Sequence, residues 1–294
     1  MDKAKVKLIS SMAIFGSIGI FVKYIPLSSQ LISFVRACLA IAFLSGMIVL
    51  GKRKLEIGRI KKNILLLLFS GTFLATQWIL LFESYKYTKV SVATLCYYMA
   101  PIFVVLFSPL VNHEKLTKKK IICVFAASAG MVGVSGVLDG AMPSPDELKG
   151  MALGLLAAVI YAGVMLLNRK MTDIDGFTIC FAEFWVGAIF LFGYCMVSKS
   201  FVSFEVLTPK VILLLLIVGF VHTGIAYALF FSAIRELPSQ SAAMLSYLDP
   251  VLAVVFSTLI LKEKLTLPVL LGAVLILASA MASEITIKRK SKTD

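Results

Sequence analysis

Runs of about 20 apolar residues recur along the whole chain, and the charged residues gather in the short stretches between them. A helix rises about 1.5 Å per residue, so a run of that length crosses the roughly 30 Å of a bilayer's hydrocarbon. Ten spans can be drawn, at 8–25, 30–50, 63–85, 91–111, 119–137, 150–168, 177–197, 210–233, 239–261 and 268–286. The pattern predicts an all-α integral membrane protein of ten transmembrane helices, with no soluble domain between the spans. The first run follows Lys3, Lys5 and Lys7, as in a secretory signal. No small-residue cleavage site leads on to a polar mature chain, so it is read as a retained first helix.

The fourth and ninth spans carry nearly the same text. Ala93 to Thr117 reads ATLCYYMAPIFVVLFSPLVNHEKLT, and Ala242 to Thr266, 149 residues later, reads AAMLSYLDPVLAVVFSTLILKEKLT; 11 of the 25 positions are identical without a gap. Each copy has a proline a third of the way along, Pro101 or Pro250, and ends on a Glu-Lys-Leu-Thr turn. Upstream, Trp78 matches Tyr227, Phe82 matches Phe231 and Lys86 matches Arg235. With small gaps, Phe15 and Lys23 fall opposite Tyr161 and Arg169, and Arg36 opposite Glu183. Such self-similarity means two copies of one structural unit. Each half contributes five spans, and five is odd, so the second copy enters the membrane from the opposite face. The expected architecture is two inverted five-helix repeats, with Glu114 inside and Glu263 outside. The boundaries follow as repeat one over 1–138, an outer Pro- and Gly-rich linker over 139–149, repeat two over 150–287 and a basic tail over 288–294.

Composition agrees with the solvent: 60% of the 294 residues are hydrophobic and 15% charged. The net charge of +13 would suggest nucleic acid in a soluble protein, but here its distribution matters more than its sum. With a cytoplasmic N-terminus, 20 Lys and Arg fall in inner loops and tails, eight in outer ones, and Arg36 lies inside a span. That asymmetry predicts a multi-pass protein of the cytoplasmic (plasma) membrane with both termini in the cytoplasm, partnered by lipid and not by nucleic acid. Basic stretches such as 51–62 and 118–120 read as topology determinants, with anionic lipid a possible second partner. All five cysteines lie within spans and read as packing residues, not as a disulfide framework.

The phrase YKYTKVSVATLCYYMAPIFVVLF from Tyr85, with the tails HEKLTKKKIICVFAASAGMVGV and KEKLTLPVLLGAVLILASAMA, resembles the EamA-type branch of the drug/metabolite transporter superfamily. The resemblance covers essentially the whole chain. It implies a ten-helix carrier of small organic solutes and leaves the cargo open. Arg36 matches an arginine typical of that family's second helix, which implies a gate or structural ion pair before a substrate contact. The sequence departs from the family pattern at Glu83, where an apolar or aromatic residue is more usual, and at Asp249, both of which turn the reading away from a neutral solute.

A carrier needs polar groups near the midplane that are hidden from lipid. Pro101 and Pro250 lack an N–H, so each frees the carbonyl four residues earlier, at Tyr97 and Ser246, for a solute, a water or a neighbouring helix. Asp249, in mid-span, is the leading candidate. On a helix it shares a small, polar stripe with Ala242, Ser246 and Ala253, and it offers a counter-charge for a cation or a proton site, or else is tied to a backbone or hydroxyl partner. Trp78, Thr94, Tyr97, Tyr98, Tyr161, Tyr227 and Tyr247 join Ser246 and Asp249 as candidate substrate contacts, since aromatic faces beside a carboxylate suit an ammonium. His222, Asp249 and Glu183 are candidates for proton or ion coupling. Arg36, Glu83, Pro101 and Pro250 are assigned to gating or structure, Glu83 also being placed to pair with Lys86 or Lys89. Small-residue stripes in the fifth and tenth spans (Ala126, Gly130, Gly133, Gly136; Ala278, Ala282) read as close helix packing, with a dimer interface the lesser alternative.

Other functions lack their residues. Only His113 and His222 are available as imidazole ligands, His113-Glu114 is not followed by a histidine four residues on, and neither a G-x-S-x-G elbow nor a phosphate-binding G-x-x-x-x-G-K-[ST] loop occurs. No metal or cofactor is expected, and enzyme activity is not. The resulting expectation is a gradient-driven carrier of a small metabolite, an amino acid or amine, acting as a monomer or weak homodimer by alternating access. The alternatives are a passive channel or a membrane scaffold.

Overall fold

The polar residues between the apolar runs start the helices. In the computed structural model, Ser28 accepts from the Leu31 amide to open α2 (Ser29–Val49), and Asp175 accepts from Phe177 and Thr178 to open α9 (Gly176–Val197). Ser144 and Glu147 form a reciprocal capping box, with Pro145 at the first turn, to open α8 (Pro145–Lys170). Thr208 accepts from the Val211 amide, with Pro209 at the first turn, to open α10 (Pro209–Leu216).

The structure describes residues 3–51, 55–112, 117–134, 138, 142–201, 206–237 and 245–284. The remaining helices are α1 (Lys3–Lys23), α3 (Ile57–Lys62), α4 (Ile64–Tyr87), α5 (Val90–Tyr97), α6 (Ala100–Asn112), α7 (Lys118–Val134), α11 (Ala226–Glu236), α12 (Leu248–Ile260) and α13 (Leu267–Glu284). A π-helical segment, Ile217–Ile225, joins α10 to α11. Among the described residues the chain is helical without strands, and seven helical stretches are long and apolar enough to cross a membrane. They are Lys3–Lys23, Ser29–Val49, Ile64–Tyr87, Val90–Val111, Pro145–Lys170, Gly176–Val197 and Pro209–Phe230, followed by shorter apolar helices over Leu248–Ile260 and Leu267–Ala282. The expected fifth, ninth and tenth spans all run into residues outside the described ones. His113, Glu114, Gly136, Ala242, most of the linker's first half and the tail 288–294 lie there too, as do the side chains of Phe231 and Arg235.

The twinned span is broken at the same place in both copies. Helical bonding lapses at Tyr98 and Met99 between α5 and α6, and at Tyr247 before α12, three residues ahead of Pro101 and Pro250 respectively. Proline cannot donate to the turn before it and crowds that turn's carbonyl, which accounts for the position of both breaks. Ser108 and Ser257, also repeat twins, bond back to Val105 and Val254 at 3.1 and 2.9 Å.

Packing between the halves pairs by exchange. α1 packs on α12 and α11, while α8 packs on α5, α6 and α4; α2 lies against α9, and α7 against α13. The buried clusters mix both halves, as where Ala37, Leu44 and Trp78 meet Phe177, Phe184 and Leu191. The outward face is strongly apolar, with Leu65, Phe69, Phe125, Ile189, Phe192, Leu213, Leu259 and Leu271 exposed, an exterior suited to lipid. All five cysteines are unpaired thiols.

Candidate functional site

A cavity of about 400 Å³ lies where the two broken spans meet α1, α2, α4, α8 and α11. Its size is that of a site for a small organic molecule. From the breaks come Thr94, Tyr97, Tyr98 and Pro101 on one side and Ser246, Tyr247 and Asp249 on the other. α4 supplies Gln77, Trp78, Phe82 and Tyr85, α8 supplies Tyr161, α11 supplies Tyr227, and α2 supplies Arg36.

Rings dominate the walls. Tyr97 stacks on Tyr161 with centroids 5.3 Å apart and meets Tyr98 edge-on at 5.7 Å. Tyr227 stands edge-on to Phe184 at 5.4 Å and to Phe15 at 5.0 Å. The Tyr98 hydroxyl donates to Asp249 Oδ2, so residues from the two halves join across the cavity. Tyr85 and Thr94 hydroxyls lie 3.4 Å apart on the same wall. Of the nine candidate substrate contacts, all nine line this cavity, as does Pro101. Pro250 is buried next to Asp249 and is not part of the lining.

The other expected site residues lie elsewhere or behave differently. His222 is 2% exposed and outside the lining; its Nε2 lies 2.9 Å from Ser17 Oγ and its Nδ1 3.2 Å from the Ile217 carbonyl, against the Phe21 ring. Glu183 is 4% exposed, in the cluster between α4, α8 and α9, beside Ser70 and Asn168. Glu83 accepts from Ser29 at 2.6 Å and pairs with Lys86 at 2.8 Å, near the end of α4. Arg36 does reach the cavity, although sequence reasoning assigned it to a gate.

The cavity residues that are not among the expected ones include Gln77, Phe82, Tyr85 and Phe230. Trp78, Phe82 and Tyr85 recur at i, i+4 and i+7 on α4, a spacing that marks one helix face but not what that face meets. The Gln77 amide oxygen is buried without a hydrogen-bond partner among the described residues.

Glu263 is a polar anchor away from the cavity. Its carboxylate accepts from the amides of Val90 and Ser91, at 2.8 and 3.1 Å, and from the Ser91 hydroxyl at 2.7 Å, so a residue of the second half caps the first turn of α5. Lys23 Nζ stands 3.8 Å from the same carboxylate.

A many-helixed, lipid-faced bundle that encloses a part-polar cavity between two similar halves defines a multi-pass membrane transporter. The model of the EamA-like transporter family matches residues 4–136 and again 148–283, and the chain belongs to that family. It is 31% identical over 276 residues to an uncharacterized transporter, YxxF, of Bacillus subtilis (strain 168), an alignment covering 94% of this chain and 87% of the relative. An uncharacterized transporter of Archaeoglobus fulgidus is 23% identical over 282 residues, covering 96% of each chain. A solved crystal structure superposes with a TM-score of 0.64 at 16% identity over 99% of both chains, a likeness of fold.

Proposed function

We propose that this transporter is a secondary carrier of a small organic metabolite, an amino acid or amine, working by alternating access between two inverted five-helix repeats. In this reading it lies in the cytoplasmic membrane with both termini inside. The observation that carries it is Asp249: a carboxylate from the second half, held by Tyr98 of the first, on the wall of an aromatic-lined cavity. A carboxylate ringed by aromatic faces suits an ammonium group or a transferable proton, and its contact across the halves ties the charge to their relative position. The twin breaks at Tyr98 and Tyr247 support a rocking motion, since discontinuous spans place irregular backbone where a cavity, not lipid, faces it. With no nucleotide-binding loop in the sequence, any active transport in this reading is driven by a gradient.

The test is flux. Purified protein in liposomes is expected to give saturable uptake of at least one radiolabelled amino acid or amine, with counterflow when unlabelled solute is trapped inside. Asp249→Asn should reduce that uptake at least about 100-fold while the melting temperature without solute holds. Linear flux without counterflow would mark a channel, and no flux for any amine or amino acid would leave a scaffold.

A further inference from the structure

The cavity holds a second charge whose surroundings differ from those of Asp249. Arg36 is 5% exposed and lies on the cavity wall. Its Nε–H donates to Thr223 Oγ1 at 2.7 Å, and Thr223 in turn donates to the Val218 carbonyl at 3.0 Å, inside the π-helical segment. Arg36, Leu39 and Phe43 share one face of α2, and Leu39 and Phe43 lie directly on Gly219 and Gly224 of that segment. The guanidinium is therefore clamped along one edge. Its carbon stands 4.2 Å from the centre of the Trp78 ring, which fixes its plane.

No ion pair among the described residues includes Arg36. Asp249 is engaged by Tyr98. The Nη groups have no hydrogen-bond acceptor among the described residues. A guanidinium taken out of water without a counter-ion is costly unless an anion completes it, and its two Nη groups present the paired donors that a carboxylate accepts.

We infer that Arg36 is the carboxylate receptor of the cavity, so that the transported solute carries a carboxylate at the Arg36 end as well as a cationic group toward Asp249. The inference rests on the proposed transport reading and narrows it, from amines in general to amino acids. The pocket selects against the decarboxylated amine because that amine leaves the guanidinium buried and uncompensated. It also selects for the span between the two charged ends, which α- and ω-amino acids meet differently.

The experiment compares each acid with its decarboxylated amine in nanodisc-held protein. The probes are phenylalanine with phenethylamine, leucine with isoamylamine, and 6-aminohexanoate with pentylamine. Trp78 fluorescence reports binding in a Trp185→Phe background, since the chain has two tryptophans and Trp185 is on the exposed exterior. For at least one pair the acid is expected to bind about tenfold or more tighter than the amine. Arg36→Met should erase the preference, bringing that acid and its amine to the same affinity, and Arg36→Lys should restore part of the difference. Amines that bind as tightly as their acids, or an Arg36→Met variant that weakens both members equally, would overturn the inference and leave the amine carrier standing. Binding by no member of any pair would remove both readings. If Arg36→Met does not fold, the acid-to-amine ratio of the wild-type cavity decides alone.

Discussion

A charged side chain within apolar spans is retained only where something other than lipid faces it, and the charges here solve that problem in different ways. Asp249 meets a tyrosine hydroxyl, Arg36 meets a threonine and a tryptophan face, and Glu83 pairs with Lys86. Outside the spans the same chemistry is easier to test. Asp173, in the turn between α8 and α9, accepts from Lys62 Nζ at 2.8 Å and Asn63 Nδ2 at 3.0 Å, and Arg59 donates to its carbonyl. These donors hold its carboxyl down to about 2, below the usual 3.8. A depressed pKa stabilises the fold at every pH above the unfolded value, and the gain drains away only as pH falls from about 4 toward 2. The melting-temperature gap between wild type and Asp173→Asn should therefore stay constant from pH 7 to pH 5 and narrow below pH 4; a gap that changes across the neutral range would contradict this account. Residue identity alone pointed to much of the cavity: Tyr98 and Tyr247 stand out because the chain spells them at matched places in the repeat, and Asp249 because it is a lone carboxylate in mid-span, opposite Ala100. Arg36 was legible as a buried charge but not as a cavity wall, since its role depends on which helix lies opposite α2.

At the level of elements, the breaks in the twinned span could be read from Pro101 and Pro250, because the missing donor acts on the same turn wherever the helix packs. The π-helical segment could not. Ile217–Ile225 contains no proline and reads as ordinary apolar helix; across its widened turn the side chains of His222 and Thr223 contact carbonyls five residues back. The cap on α5 was equally hidden, since Val90 and Ser91 are 173 and 172 residues from the Glu263 side chain that satisfies them. A carboxylate at a helix N-terminus accepts from free amides and meets the positive end of the helix dipole. Glu263→Ala should therefore lower unfolding stability by about 1 to 3 kcal/mol, the range for leaving buried donors unsatisfied, whereas Glu263→Gln, which keeps an acceptor, should lose less. Reversible unfolding in mixed micelles measures both, and equal losses would mean that the carboxylate's charge, not the acceptor that Gln keeps, is what matters.

Across the whole molecule, the two halves meet backbone to backbone at a pair of counterpart helices. α7 and α13 occupy corresponding places in the two halves, and glycines let their backbones touch: a side chain added at Gly272 would stand 2.5 Å from the Gly130 carbonyl, and one added at Gly130 would stand 2.8 Å from the Gly272 carbonyl. Lipid tails are as apolar as the side chains, so close van der Waals approach, not burial of oil from water, holds such a pair together. Of the expected small-residue stripes, Gly130 and Gly133 make this close contact, opposite Gly272, whereas Ala278 is exposed. Backbone cannot yield as a flexible side chain can, so Gly272→Leu must push the helices apart, at a cost of about 1 to 3 kcal/mol by analogy with overpacked cores. Gly46→Leu, at a position with open space around it, should cost far less. If the α7 and α13 pair is the fixed seam about which the remaining helices rock, Gly272→Leu will lower stability and transport together, while Asp249→Asn lowers transport alone. Parallel melting and counterflow measurements on the two variants separate a seam from a solute site, and a Gly272→Leu protein that melts and transports like wild type would remove the seam.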